Sequence, residues 1–131
     1  WISSDAIDTD FTAKLIDVYP SSEEYPEGFH LPLEDSIKRA RFRDGFDGEK
    51  LMTPEVVYEV QIELPPVSNR FVKGHRIRVD ISSSNFPRFD VNPNTGEPIG
   101  RHTRTQKATN TVYMDRDHCS HIVLPIVNIA D

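Results

Sequence analysis

The sequence predicts an all-β, sandwich-like domain, and three observations carry that prediction. Apolar residues alternate with polar ones over several short segments, the pattern of strands with one dry and one wet face. A helical period is almost absent. Ten prolines and six glycines in 131 residues punctuate the chain often enough to keep its regular segments short.

Taken in chain order, residues 1–4 read as the remainder of a strand already under way at Trp1. Residues 11–19 follow as a strand with Phe11, Ala13 and Leu15 on one face. A long connection is expected from Pro20 to Pro32. In residues 33–43, Leu33, Ile37 and Ala40 fit a helical spacing, yet 37–43 also alternates and sets Arg39, Arg41 and Arg43 on one side. The turn-rich flanks favour a strand there. The clearest alternation lies in 56–64, where Val56, Tyr58, Val60, Ile62 and Leu64 interleave with Val57, Glu59, Gln61 and Glu63. Pro65 and Pro66 end it, because proline cannot donate to a ladder. Ile77, Val79 and Ile81 define a strand over 76–81, and Lys73-Gly74 supplies a turn before it, so 56–64 and 76–81 are expected to pair antiparallel. A second long connection spans 85–103. Residues 105–114 form a weak, Thr-rich strand candidate. Residues 122–127 form an apolar one, with Pro125 indicating an edge or a bulge.

Length and composition narrow the function. The length suits one core but not two. Twenty-one acidic residues against fifteen basic ones give a net charge of -6, which argues against a general nucleic-acid binder. No apolar run reaches the ~20 residues of a membrane span. The single cysteine, Cys119, excludes an intrachain disulfide framework and fits a reducing compartment, with the cytoplasm favoured.

Five constellations are candidates for function. Ser82-Ser83-Ser84 follows a strand, but none of the serines sits in G-x-S-x-G, and Pro87 opposes a helix starting after them. No catalytic residue is therefore expected in this chain. The run from Asp115 to His121 holds several zinc-type ligands, yet in a strand His118 and Cys119 point to opposite faces, and no second pair supports them. Asp90, Asn92 and Asn94 resemble half a calcium loop, but Gly96 falls one position late and Arg101 stands where the bidentate glutamate belongs. No metal or other cofactor is expected. Asp5, Asp8 and Asp10 crowd six residues, and the arginine face of Arg39, Arg41 and Arg43 would give them bidentate partners, either in a network fixing strand order or at an interdomain contact. The last candidate, Asn85, Phe86, Arg88 and Phe89, mixes aromatics with one charge and suits contact with another protein surface.

Several strings, in order, resemble one family. Residues 3–11 and 13–18, then Arg39-Ala40-Arg41-Phe42-Arg43, then 79–90 running on to Asn92-Pro93-Asn94-Thr95-Gly96, and finally 118–127 are similar to the C-terminal domain of the X-Pro dipeptidyl-peptidase and cocaine-esterase family of serine hydrolases. The resemblance implies a galactose-binding-like jelly roll, non-catalytic, packed on an α/β-hydrolase domain that carries the Ser, Asp and His triad upstream. It implies that residues 1–131 are one partial jelly roll lacking its N-terminal strands, with Asn85, Phe86, Arg88 and Phe89 against the catalytic domain. It also implies hydrolysis of acyl esters or X-Pro dipeptides by the parent protein. Cys119-Ser120-His121 departs from the family's usual proline-containing stretch. The expected partners are thus the upstream hydrolase domain and, through exposed strand edges, a second copy, with neither nucleic acid nor membrane. A free-standing carbohydrate- or calcium-binding module is the competing reading. Trp1 is its only tryptophan and sits in a presumed strand, which weakens a sugar platform.

Overall fold

The computed structural model describes residues 1–127 as an all-β sandwich. Two sheets form: β1 (Ile2–Ser4) with β5 (Asn110–Val112), and a three-stranded sheet in the order β3 (Phe29–Arg39), β2 (Asp10–Tyr19), β4 (Arg76–Ser82). All pairings are antiparallel. β2 is central, bonded along both edges, and its residues are buried apart from Lys14 and Tyr19. Between the sheets, Ile2 of β1 meets Phe11 of β2, with Ala40 and Met52 completing the core and Tyr58, Val60 and Ile62 packed against it.

β2 and β3 form a long hairpin from Asp10↔Arg39 to Tyr19↔Phe29. Gly28 closes it with φ +78, and a Cβ there would lie 2.8 Å from the Tyr19 carbonyl oxygen, so the turn requires glycine. The register shifts between Leu15 and Ile16, where Pro32 enters β3. An edge strand tolerates that proline because its missing donor costs no ladder bond on the open side. The connection expected over 20–32 is accordingly shorter, since β3 begins at Phe29.

Four expectations require correction. Residues 56–64 make one isolated bridge, Ile2↔Tyr58, instead of a ladder, and β4 takes β2 as its partner. The alternation did identify the inward face: Tyr58, Val60 and Ile62 are partly buried while Glu59, Gln61 and Glu63 are exposed. Side-chain burial and backbone pairing are separate requirements, and beyond Tyr58 no strand faces this segment among the described residues. Residues 37–43 are not one strand, because β3 ends at Arg39 and a 3₁₀ turn follows over Ala40–Phe42. The weak candidate at 105–114 contracts to β5. Residues 122–127 hold no strand, and Val123, Ile126 and Val127 are exposed.

Candidate functional site

The candidate side chains gather where the β1–β2 connection, the end of β3 and the loop after β4 meet. Asp8 and Asp10 flank Thr9 at the entry to β2, and all three are buried. The 3₁₀ turn after β3 points Arg41 inward, also buried, so its Nε and Nη2 both donate to Asp8 Oδ2, at 2.9 and 2.7 Å. The Arg41 backbone N–H donates to Asp8 Oδ1 at 3.2 Å. Its remaining donors reach the Glu97 carbonyl at 2.9 Å and Glu49 Oε1 at 3.3 Å. Burial works against the Arg41 charge, but the Asp8 and Glu49 contacts more than offset it and raise its pKa above the ordinary value.

Asp10 Oδ2 accepts from Arg39 Nη1 at 2.7 Å. Asn92 joins the two halves, since its Nδ2 donates to Asp8 Oδ2 and to Asp10 Oδ1, each at 2.8 Å. One amide with two N–H bonds thus separates two carboxylates that would otherwise repel in a poorly solvated space. Burial pushes the Asp10 carboxyl up to about 6, and the Asp8 charge adds to that push, while Asn92 and Arg39 oppose it.

The remaining members of the acidic and basic strings go elsewhere. Asp5 is exposed and accepts from the Thr109 N–H at 2.7 Å, a bond that lowers its pKa. Arg43 donates to the carbonyls of Ala40, Lys50 and Leu51, and its guanidinium lies 4.5 Å over the Tyr58 ring. Two pairs therefore form, Asp8–Arg41 and Asp10–Arg39, with Asp5 and Arg43 serving as loop fasteners.

The segment after β4 crosses β2 to reach β3. Asn85 Nδ2 donates to Asp35 Oδ2 at 2.8 Å, and Arg88 Nε stands 2.7 Å from Asp35 Oδ1 as a charge contact without hydrogen-bond alignment. Both anchors hold the base of a short excursion whose tip, Phe86, is 69% exposed. The Arg88 guanidinium lies 5.7 Å from the half-buried Phe89 ring, and the Phe86–Pro87 peptide is cis. Phe86, Val91, Pro93, Ile99 and His102 wall a shallow concavity beside it.

The calcium-like series does not converge on one point. Asn92 turns inward to the carboxylates, its Oδ1 accepts the Asn94 N–H, and Asn94 Nδ2 donates to the Gln106 carbonyl. In the 115–121 run, Asp115 Oδ1 accepts the N–H groups of Asp117 and His118, while His121 Nδ1 meets the Cys119 carbonyl. Among the described residues no three His, Cys, Asp or Glu side chains assemble as a metal site.

Sequence reasoning missed a third buried carboxylate, Asp17. Its Oδ1 lies 2.8 Å from His75 Nδ1 and its Oδ2 accepts from Asn69 Nδ2 at 3.2 Å. The signal was available, because Asp17 falls on the Phe11, Ala13, Leu15 face by strict alternation, and a carboxylate there needs partners. Asn92 carried no such signal, since it belongs to an irregular loop.

Comparison with known proteins agrees with the all-β fold. The sequence profile of the X-Pro dipeptidyl-peptidase C-terminal non-catalytic domain matches residues 1–123. Cocaine esterase from Rhodococcus sp. (strain MB1 Bresler) is 44% identical over 129 residues, covering 97% of this chain and 21% of that protein. Among solved structures, an aminopeptidase from the marine sediment archaeon Thaumarchaeota archaeon and an α-amino acid ester hydrolase each superpose with a TM-score of 0.81. Both are 36% identical, over 89% of this chain and 20% of theirs. The chain thus spans about one fifth of the length of these hydrolases. It belongs to the family of C-terminal non-catalytic domains of the X-Pro dipeptidyl-peptidases and cocaine esterases.

Proposed function

We propose that this chain serves a larger serine hydrolase by packing on its α/β-hydrolase domain and framing one wall of the active site, the contact being made by Asn85, Phe86, Arg88 and Phe89. The observation that carries the proposal is the contrast within that loop. Its base is fastened to Asp35 by two side chains, while the aromatic at its tip stands 69% exposed. A large apolar side chain held out on an ordered support matches the anchor of an interface, where a few aromatics supply most of the energy. The buried Asp8–Arg41–Asn92–Asp10–Arg39 network supports the same loop further along, at Asn92, so the docking surface is rigid on both sides. The parent activity consistent with the relatives is hydrolysis of acyl esters or of N-terminal dipeptides, by a triad outside this chain.

The test uses the full-length protein. Replacing Phe86 and Phe89 together by alanine is expected to lower its melting temperature by several degrees or its turnover of an activated ester at least fivefold. The chain by itself is expected to show no serine-dependent turnover. Unchanged stability and rate in the double variant would remove the assigned contact, and turnover by the chain alone would remove the non-catalytic role.

A further inference from the structure

Across the concavity from Phe86, the wall made by Ile99, His102 and Thr105 belongs to a loop whose charge differs from that of the rest of the chain. Residues 98–107 hold Arg101, Arg104 and Lys107 and no acidic residue. The remainder sets the other twelve basic residues against all twenty-one acidic ones, a net of -9. The earlier basic string is used up inside the molecule, where Arg39 and Arg41 take Asp10 and Asp8 and Arg43 takes backbone carbonyls. The loop is different. Arg101, His102, Arg104 and Lys107 are all exposed. Among the described residues Arg101, His102 and Lys107 have no carboxylate partner, and Arg104 has only Glu97, 3.8 Å away.

These cations stand on a fastened support. The base of the loop closes where Asn94 Nδ2 donates to the Gln106 carbonyl at 2.8 Å and the Gln106 N–H donates to the Pro93 carbonyl at 2.9 Å. Glu97 works as a clasp: its Oε1 accepts from Thr103 Oγ1 at 2.7 Å, its Oε2 from Thr95 Oγ1 at 2.9 Å, and its carbonyl from buried Arg41 at 2.9 Å. A turn over 98–101 is closed by the Arg101 N–H on the Pro98 carbonyl at 3.1 Å, with Gly100 at φ +77 in its third position. The nearest acid is thus occupied in shaping the loop. Cations held on an ordered backbone lose little further freedom when they meet an anion, which favours binding over free solvation.

We infer that loop 98–107 is the electrostatic half of the docking face, and that the hydrolase-domain surface it meets carries carboxylates opposite Arg101, Arg104 and Lys107. The inference rests on the proposed contact of Phe86, whose concavity the loop shares. A long polyanion would also meet the acidic remainder of the chain, whereas a local patch of carboxylates on a folded domain would not. Thermal unfolding of the full-length protein tests it, in about 20 mM and about 500 mM NaCl, where the screening length falls from roughly 20 Å to roughly 4 Å. The reversal R101E/R104E/K107E should lower the midpoint by about 4 °C or more at low salt, and high salt should close at least about two thirds of that gap. The neutral variant R101Q/R104Q/K107Q should fall between. K73E/R76E/R116E makes the same change in net charge at exposed residues outside the loop, and should cost less than about a third as much. A gap that salt leaves unchanged would mean that the substitutions damage the loop itself, and an equal loss from the second triple would mean that net charge alone matters. Either result overturns the inference, as would a full-length protein indifferent to the reversal. If that indifferent protein still weakens when Phe86 and Phe89 are truncated, the aromatic contact stands without an ionic half. If neither change matters, both readings fall.

Discussion

Asp10 has two partners and still holds its proton more tightly when folded than when unfolded, because burial outweighs both contacts. With the carboxyl raised from 3.8 to about 6, its contribution favours the folded chain below pH 3.8 and is lost as pH rises to about 6. Comparing denaturant unfolding of the parent and Asp10→Asn at pH 4, 5, 6 and 7 isolates this component. The parent's stability relative to the variant should fall with rising pH across that window, and a constant difference would refute the assignment. Arg41 acts differently. Replacing it by leucine strands the Asp8 charge in a buried site, with only Asn92 left as a side-chain donor, and should cost about 3–5 kcal/mol. A loss below about 1 kcal/mol would mean that water reaches Asp8. The sequence supplied these pairs in outline, since three acids and three arginines were visible, but it could not assign them. A 3₁₀ turn in place of continuing strand rotated Arg41 toward Asp8 and left Arg43 to carbonyl groups.

At the scale of elements, strands reveal themselves in sequence through the faces they bury and stay silent about the edges they share. The strand expected over 11–19 forms as β2, because that segment is both amphipathic in pattern and paired on both sides. Residues 56–64 show the strongest alternation in the chain but have a single bridge at Tyr58, since their side chains reach the core while their backbone lacks a neighbour. Amide exchange distinguishes the two segments. Protons of 12–18 should exchange near the rate of global unfolding, and those of 60–64 orders of magnitude faster despite similar hydropathy. Equal protection of both would show that the second segment finds a partner. The loop holding Asn92 was illegible for a related reason: its structure is set by what Asn92 bonds to, 82 and 84 residues away, and local turn preferences carry no trace of that.

At the scale of the whole molecule, a two-sheet sandwich was predictable from alternation and turn density, whereas its pairing order needed the three-dimensional structure. The strands join distant parts of the chain: β1 takes β5 as its partner, Ser3 Oγ lies 3.0 Å from the Tyr113 hydroxyl, and Asp8 waits on Asn92. That wiring sets a timetable during synthesis. At about 5–20 residues per second, the ribosome releases β5 roughly 5–20 s after β1. Until β5 emerges Ile2 has only its bridge to Tyr58, and until Asn92 emerges Asp8 lacks the amide that shields it from Asp10. The β1–β5 sheet is therefore the later of the two to close, and the sandwich stays open on that side until it does.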